Sequence, residues 1–232
     1  MKERMRIGLY NLSSCEGCIV EILNMEDKLL EILKHVEIVD CRLLGITGEG
    51  NIDIAFVEGF ISSNDEEEKI REIRKKARVL VAMGDCACSG GRFLIKDFGE
   101  ASGIRADPID KIIKVDYYLW GCPVNSEEFL ILLRDIIQDK KPREISKTVC
   151  SECIFFEKEC LLDKGILCLG PITRGGCNAL CLVNNRACFG CRGLSEDANI
   201  GGFIKILKEK GIEVPDYLKK LSKVMKLGEK AH

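Results

Sequence analysis

The chain has 232 residues, 46% of them hydrophobic and 31% charged, with 35 Lys plus Arg against 37 Asp plus Glu and a formal charge of −2. Such a length buries a core without needing disulfide staples, and the even charge balance argues against nucleic acid or an anionic membrane as the main partner. No segment approaches the roughly 18 consecutive apolar residues of a membrane span. The opening MKERMRIGLYNLSSCEGC carries no leader pattern, so the expectation is a soluble, cytoplasmic protein.

Residues 5–12, MRIGLYNL, predict a buried strand, and 16–34 a helix on which Ile19, Ile22, Leu23, Leu29, Leu30 and Leu33 recur at helical spacing. Strands follow at 36–44 and 51–57. The charged run 64–77 predicts a helix with Asn64 as its cap and acids in its first turn. Strands at 78–83 and 115–120 and a helix at 125–138 close the pattern. Strands alternating with helices imply an α/β fold, a flavodoxin-like doubly wound parallel sheet. It occupies residues 1–145. From 146 to 232 the periodicity fades into a loop-rich segment, with helices expected at 200–210 and 215–227. The second of these carries an apolar stripe of Tyr217, Leu218, Leu221, Val224, Met225 and Leu227.

The chain also holds 14 cysteines. A cytoplasm keeps thiols reduced, so this many of them point to metal ligands. Cys15 and Cys18 follow the first predicted strand, Cys86 and Cys88 the fourth and Cys122 the fifth. All lie at carboxyl ends of strands, the edge where open α/β sheets bind ligands. Gly17, Gly84, Gly90, Gly91 and Gly121 let backbone N–H groups approach an anionic group there. Spacing favours neither Cys86 nor Cys88. Glu58, ending the third strand on the same edge, is placed to accept a hydrogen bond from the Cys15–Cys18 turn or to face a partner. Cys41, inside a strand, reads as a small buried hydrophobe.

Eight more cysteines, Cys150, Cys153, Cys160, Cys168, Cys177, Cys181, Cys188 and Cys191, run C-x2-C-x6-C-x7-C-x8-C-x3-C-x6-C-x2-C. Four thiolates suit one iron–sulfur cluster, so the arithmetic suggests three clusters. Two structural zinc ions are the competing reading of the eight. Spacing alone does not sort them, because two-cluster ferredoxins interleave ligands from both ends of such a run.

Seven segments together resemble the small, electron-transferring subunit of cytoplasmic nickel–iron hydrogenases. They are SSCEGC (13–18), DIAFVEG (53–59), VLVAMGDCACSGG (79–91), VDYYLWGCP (115–123), VCSECIF (149–155), CLGPITRGGCNALC (168–181) and ACFGCRG (187–193). The resemblance is to the branch of sulfhydrogenase delta subunits, with F420- and methyl-viologen-reducing enzymes as relatives. It implies that Cys15, Cys18, Cys86 and Cys122 hold a proximal 4Fe-4S cluster and that the later eight hold two more, leaving Cys41 and Cys88 without a role. It further implies a nickel–iron large subunit as partner and a diaphorase-type or other iron–sulfur subunit as acceptor. Catalytic residues are not expected on this chain. Pro123 is followed by Val124 where the family has a second proline, and the stretch from Gly91 to Ile112 is short for the family. The alternative is an electron-transfer subunit of a related complex lacking a nickel–iron site.

Overall fold

The computed structural model describes residues 4–91, 103, 105–142 and 145–218. They form two compact units, one from residues 4–91, 103 and 105–142, the other from 145–218.

In the first unit five parallel strands stand in the order β2-β1-β3-β4-β5. They are β1 (Met5–Asn11), β2 (Val36–Cys41), β3 (Ile52–Glu58), β4 (Ala77–Met83) and β5 (Tyr117–Leu119). This is the expected doubly wound order, and the pleat explains its two cores. Successive side chains of a strand point to opposite faces. Ile54, Phe56, Val81 and Met83 therefore pack on one side, against Ile19 and Ile22 of helix α1 (Gly17–Leu23) and Phe129, Leu132, Leu133 and Ile136 of a helix over Ser126–Ile137. Ala55, Val57, Leu80 and Ala82 pack on the other side, against Ile70 and Ile73 of a helix over Asn64–Lys76. The Phe56 and Phe129 rings meet with centroids 4.9 Å apart. Each such large apolar side chain contributes about 1.5–3 kcal/mol when fully buried.

Local chemistry sets the helix ends. The stretch expected as one helix over 16–34 is two, α1 and α2 (Asp27–Ile32), separated where Glu26 takes φ 51° and Met25 turns into the core. Helix α3 (Asn64–Lys76) is capped by Ser63, whose Oγ accepts from the Glu66 N–H at 3.3 Å, not by Asn64. Its first turn carries Asp65, Glu66 and Glu67 and its last Arg74, Lys75 and Lys76, matching the helix dipole at both ends. After β4 the glycine-rich segment, expected as a turn, winds into a short helix α4 (Gly84–Ser89). Helix α5 (Ser126–Ile137) is capped by the Asn125 side chain, which accepts from Glu127 and Glu128 N–H groups at 2.8 and 3.1 Å. Most of the Gly91–Ile112 stretch lies outside the described residues.

The second unit has little regular structure: α6 (Leu180–Val183) and α7 (Ile200–Glu209, capped by Asn199) joined by loops. Three short segments pair side by side, with isolated bridges Thr148↔Arg174 and Thr173↔Leu194. Its core gathers Val149, Leu162, Leu169, Ile172, Leu182, Phe203 and Leu207, with Cys168 and Cys188 among them. Leu218 and Tyr217 pack into this core, whereas Leu221, Val224, Met225 and Leu227 of the expected last helix lie outside the described residues. No helix among the described residues is long and apolar enough to cross a membrane.

Candidate metal centres

Three turns of the first unit bring four cysteines to one sheet edge. Cys15 lies in the turn after β1, Cys18 is the second residue of α1, Cys86 is in α4 and Cys122 follows β5. Cys18 lies within electrostatic reach of Cys122 and Cys86, and Cys86 within reach of Cys122 and Cys15. Burial pushes the Cys18 thiol well up, with the Glu58 carboxylate adding to it, and pushes Cys86 up to about 12, with Asp85 adding. Cys15 and Cys122 are exposed. The Cys18 and Cys86 thiols, so placed, stay protonated on their own. A bound metal would supply the positive charge that strips the protons and holds four thiolates together.

Glycines clear the space around these sulfurs. A Cβ on Gly84, whose φ is +86°, would stand 2.6 Å from Cys18 Sγ, one on Gly91 3.0 Å from Cys86 Sγ, and one on Gly17 3.3 Å from Cys15 Sγ. Side chains there would fill the cradle an inorganic core needs.

Glu58 braces the site from behind. It is 2% exposed and accepts from Ser14 Oγ at 2.8 Å and from the Ile19 N–H at 3.0 Å, so it fastens both ends of the Cys15–Cys18 turn. Burial raises its pKa, against hydrogen bonds from Ser14, Ile19 and Cys18 that lower it. Of the two roles open to it in the sequence, the structure shows the hydrogen bond to the turn. Cys88 points away: 5% exposed, it donates to the Ala82 carbonyl oxygen at 3.4 Å within the opposite core. Cys41 is fully buried in the other core.

The second unit gathers the eight remaining cysteines into two adjoining groups, with Cys188 near both, since it senses Cys168 ahead of Cys181. Burial pushes Cys150 up to about 12, and Cys168, Cys153 and Cys160 stand within its electrostatic reach, with Cys188 a weaker neighbour. Burial likewise raises Cys168, which senses Cys153 and Cys160. Cys177, Cys181, Cys188 and Cys191 instead line one small cavity together with Val149 and Thr173. Burial pushes Cys188 up to about 11. The two quartets meet where the Cys188 N–H donates to Cys168 Sγ at 3.4 Å. A Cβ on Gly170 would stand 3.3 Å from Cys150 Sγ and 3.6 Å from Cys168 Sγ, so this quartet too is cradled by glycine. Among the described residues no three His, Cys, Asp or Glu side chains converge closely enough to hold a single metal ion.

Sequence reasoning overlooked two residues beside these sulfurs. Glu152, inside the Cys150–Cys153 turn, accepts from the Gly176 N–H, and Arg192, next to Cys191, donates to the Gly175 carbonyl oxygen. The available signal was a charged residue in or beside each Cys-x2-Cys pair.

The chain belongs to the family described as NADH ubiquinone oxidoreductase, 20 Kd subunit, whose model matches residues 15–136. Along nearly its whole length it is similar to hydrogenase subunits. It is 36% identical to sulfhydrogenase 2 subunit delta of Pyrococcus furiosus, over 88% of this chain and 93% of that one. It is 28% identical to a subunit of the F420-non-reducing hydrogenase vhu of Methanocaldococcus jannaschii, over 91% of each. Among solved structures, a chain of the NAD+-reducing NiFe hydrogenase in its H2-reduced state matches at TM-score 0.53 and 29% identity, over 61% of this chain and 96% of that one. A chain of the Ni-Fe-Se hydrogenase of Desulfomicrobium baculatum shares the fold at TM-score 0.61 and 19% identity, over 82% of this chain and 94% of that one.

Proposed function

We propose that this chain is the small subunit of a nickel–iron hydrogenase complex and relays electrons between a large subunit that handles hydrogen and a downstream acceptor subunit, diaphorase-type or another iron–sulfur protein. The observation that carries this reading is the gathering of twelve cysteines into three quartets, each lined by glycine or set in a cavity of its own. Its ligand assignment is Cys15, Cys18, Cys86 and Cys122 for one 4Fe-4S cluster, Cys150, Cys153, Cys160 and Cys168 for a second, and Cys177, Cys181, Cys188 and Cys191 for a third. Residues 1–145 form the domain of the first, and residues 146–232 that of the other two. Such clusters supply one-electron redox chemistry at sulfur-ligated iron.

This chain's own residues set where and at what potential that chemistry happens. N–H groups donate to Cys153 Sγ from Phe155 and to Cys168 Sγ from Cys188, each at 3.4 Å; donors to sulfur stabilise a reduced, more negative cluster. Glu58 acts in the opposite sense at the first quartet, where a buried carboxylate disfavours an added electron. General bases, nucleophiles and phosphate loops are not required of this chain. Its fourteen cysteines fit a cytoplasm that keeps thiols reduced.

Iron and acid-labile sulfide analysis of anaerobically purified protein, with EPR of the reduced form, tests the proposal. About twelve irons per chain, four for each cluster, is the expected result; zinc in their place, with no EPR signal, refutes it. The name of the matching family model favours a second reading, an electron-transfer subunit of a related oxidoreductase complex without a nickel–iron site. Nickel in the purified complex decides for the first, and its absence from an iron-replete complex for the second.

A further inference from the structure

The segment joining the two C-terminal quartets is gripped from both sides. On one side the Gly175 N–H donates to the Lys147 carbonyl oxygen at 2.7 Å, and Glu152 Oε1 accepts from the Gly176 N–H at 2.6 Å. On the other side Arg192, 3% exposed, donates from Nε to the Gly175 carbonyl oxygen at 2.6 Å, and the Arg174 N–H donates to the Gly193 carbonyl oxygen at 3.1 Å. The fit leaves no slack: a Cβ on Gly175 would stand 2.9 Å from Glu152 Oε1 and 3.1 Å from the Lys147 and Thr148 carbonyl oxygens. Gly176 leads directly into Cys177, the first cysteine of one quartet, while Glu152 lies between Cys150 and Cys153 of the other.

One oxygen of this carboxylate is accounted for. The other, Oε2, is buried with no hydrogen-bond partner among the described residues. A buried acceptor left without a donor destabilises the fold, so the backbone grip alone does not explain a glutamate here; a neutral side chain would supply the same acceptor. Negative charge is what the glutamate adds. Beside two groups that each accept an electron, that charge opposes reduction of both.

We infer that Glu152 is a positioning residue for electron transfer within the C-terminal region: one carboxylate oxygen fixes the Cys177 quartet against the Cys150–Cys153 turn, and the other keeps negative charge beside both quartets. This rests on the reading of those quartets as iron–sulfur sites.

The test compares wild type, Glu152→Gln and Glu152→Ala in the full chain, purified anaerobically, by iron content and by EPR-monitored redox titration. Glu152→Gln keeps the acceptor for the Gly176 N–H and removes the charge. Its iron content should equal wild type, with the midpoint potentials of two clusters raised, that of the third unmoved, and the magnetic interaction between the two unchanged. Glu152→Ala should raise the same two potentials and also alter that interaction. Where Glu152→Ala loses iron, the potentials of Glu152→Gln decide. Unmoved potentials in Glu152→Gln, an equal shift of all three clusters, or loss of iron from this shape-preserving variant overturns the inference. Wild type without iron sinks the cluster reading itself, a result separate from an iron-replete wild type that Glu152→Gln matches.

Discussion

The two units handle their cysteines in opposite ways. In the first, the candidate ligands Cys15, Cys18, Cys86 and Cys122 lie at one edge of a sheet with an apolar layer on each face, and of these only Cys18 packs against a core, while Cys41 and Cys88 are core members that face away from that edge. In the second, Cys168 and Cys188 belong to the core, and Cys153, Cys160, Cys177 and Cys181 pack against it. Among its described residues two α-helices, three short 3-10 helices and a few bridges supply the rest of the order. A unit with candidate metal ligands inside its core would couple its folding to a bound metal, because metal-binding free energy becomes folding free energy. A unit with its own core does not.

The largest effect expected from this contrast follows removal of iron. Anaerobic chelation should abolish hydrogen-exchange protection across residues 149–191 while leaving that of β1, β3 and β4 in place. Simultaneous loss in both units would erase the distinction. Next comes Phe56→Ala, which removes a fully buried ring tilted against Phe129. It should destabilise the first unit by about 3–5 kcal/mol, measured by denaturant unfolding, without altering protection in the second.

A third prediction concerns pH and applies to the iron-free chain. Cys86 and Cys150 are each pushed up to about 12 in the folded state, against about 8.5 for an unfolded thiol. The folded state keeps protons that the unfolded chain releases. Their contribution to stability is therefore present below the unfolded value and is lost as pH rises from about 8.5 toward about 12. The iron-loaded protein, with its thiolates already ligated, should lack this slope; parallel pH-stability curves of the two forms would contradict it. The smallest effect is expected for Cys88→Ala. It removes weak contacts to the Ala82 and Leu119 carbonyl oxygens and should cost about 1 kcal/mol, with the iron content of wild type. A loss of four irons would mean that Cys88, not Cys86, is the ligand.

Parts of this organisation are legible residue by residue. The alternation that sets Ile54 and Phe56 against Ala55 and Val57 announces a strand buried on both faces, and the placement of Cys15, Cys86 and Cys122 after strands announces a common edge. Helix α4 is not legible. Six residues, GDCACS, are too few to show a period, and glycine at their start reads as a turn. The break at Glu26 is equally silent, since Leu29 and Leu30 continue the apolar pattern across it while burial of Met25 decides the bend. Ser63 and Asn64 are both good caps, and only the backbone shows which one accepts the N–H.

By itself the order of amino acids determined the parallel sheet, the edge that gathers its cysteines and the change of character near residue 145, because these follow from side-chain period and from which residues end each strand. Spacing left Cys86 and Cys88 open and the family resemblance favoured Cys86; tertiary structure turns Cys86 toward the other three and Cys88 away, sets Cys153, Cys160 and Cys168 within reach of Cys150, and lines one cavity with Cys177, Cys181, Cys188 and Cys191. The reason is physical. Identical thiols at similar spacings differ only in which way the backbone aims them and in what lies beside them, and both depend on contacts between residues far apart along the chain.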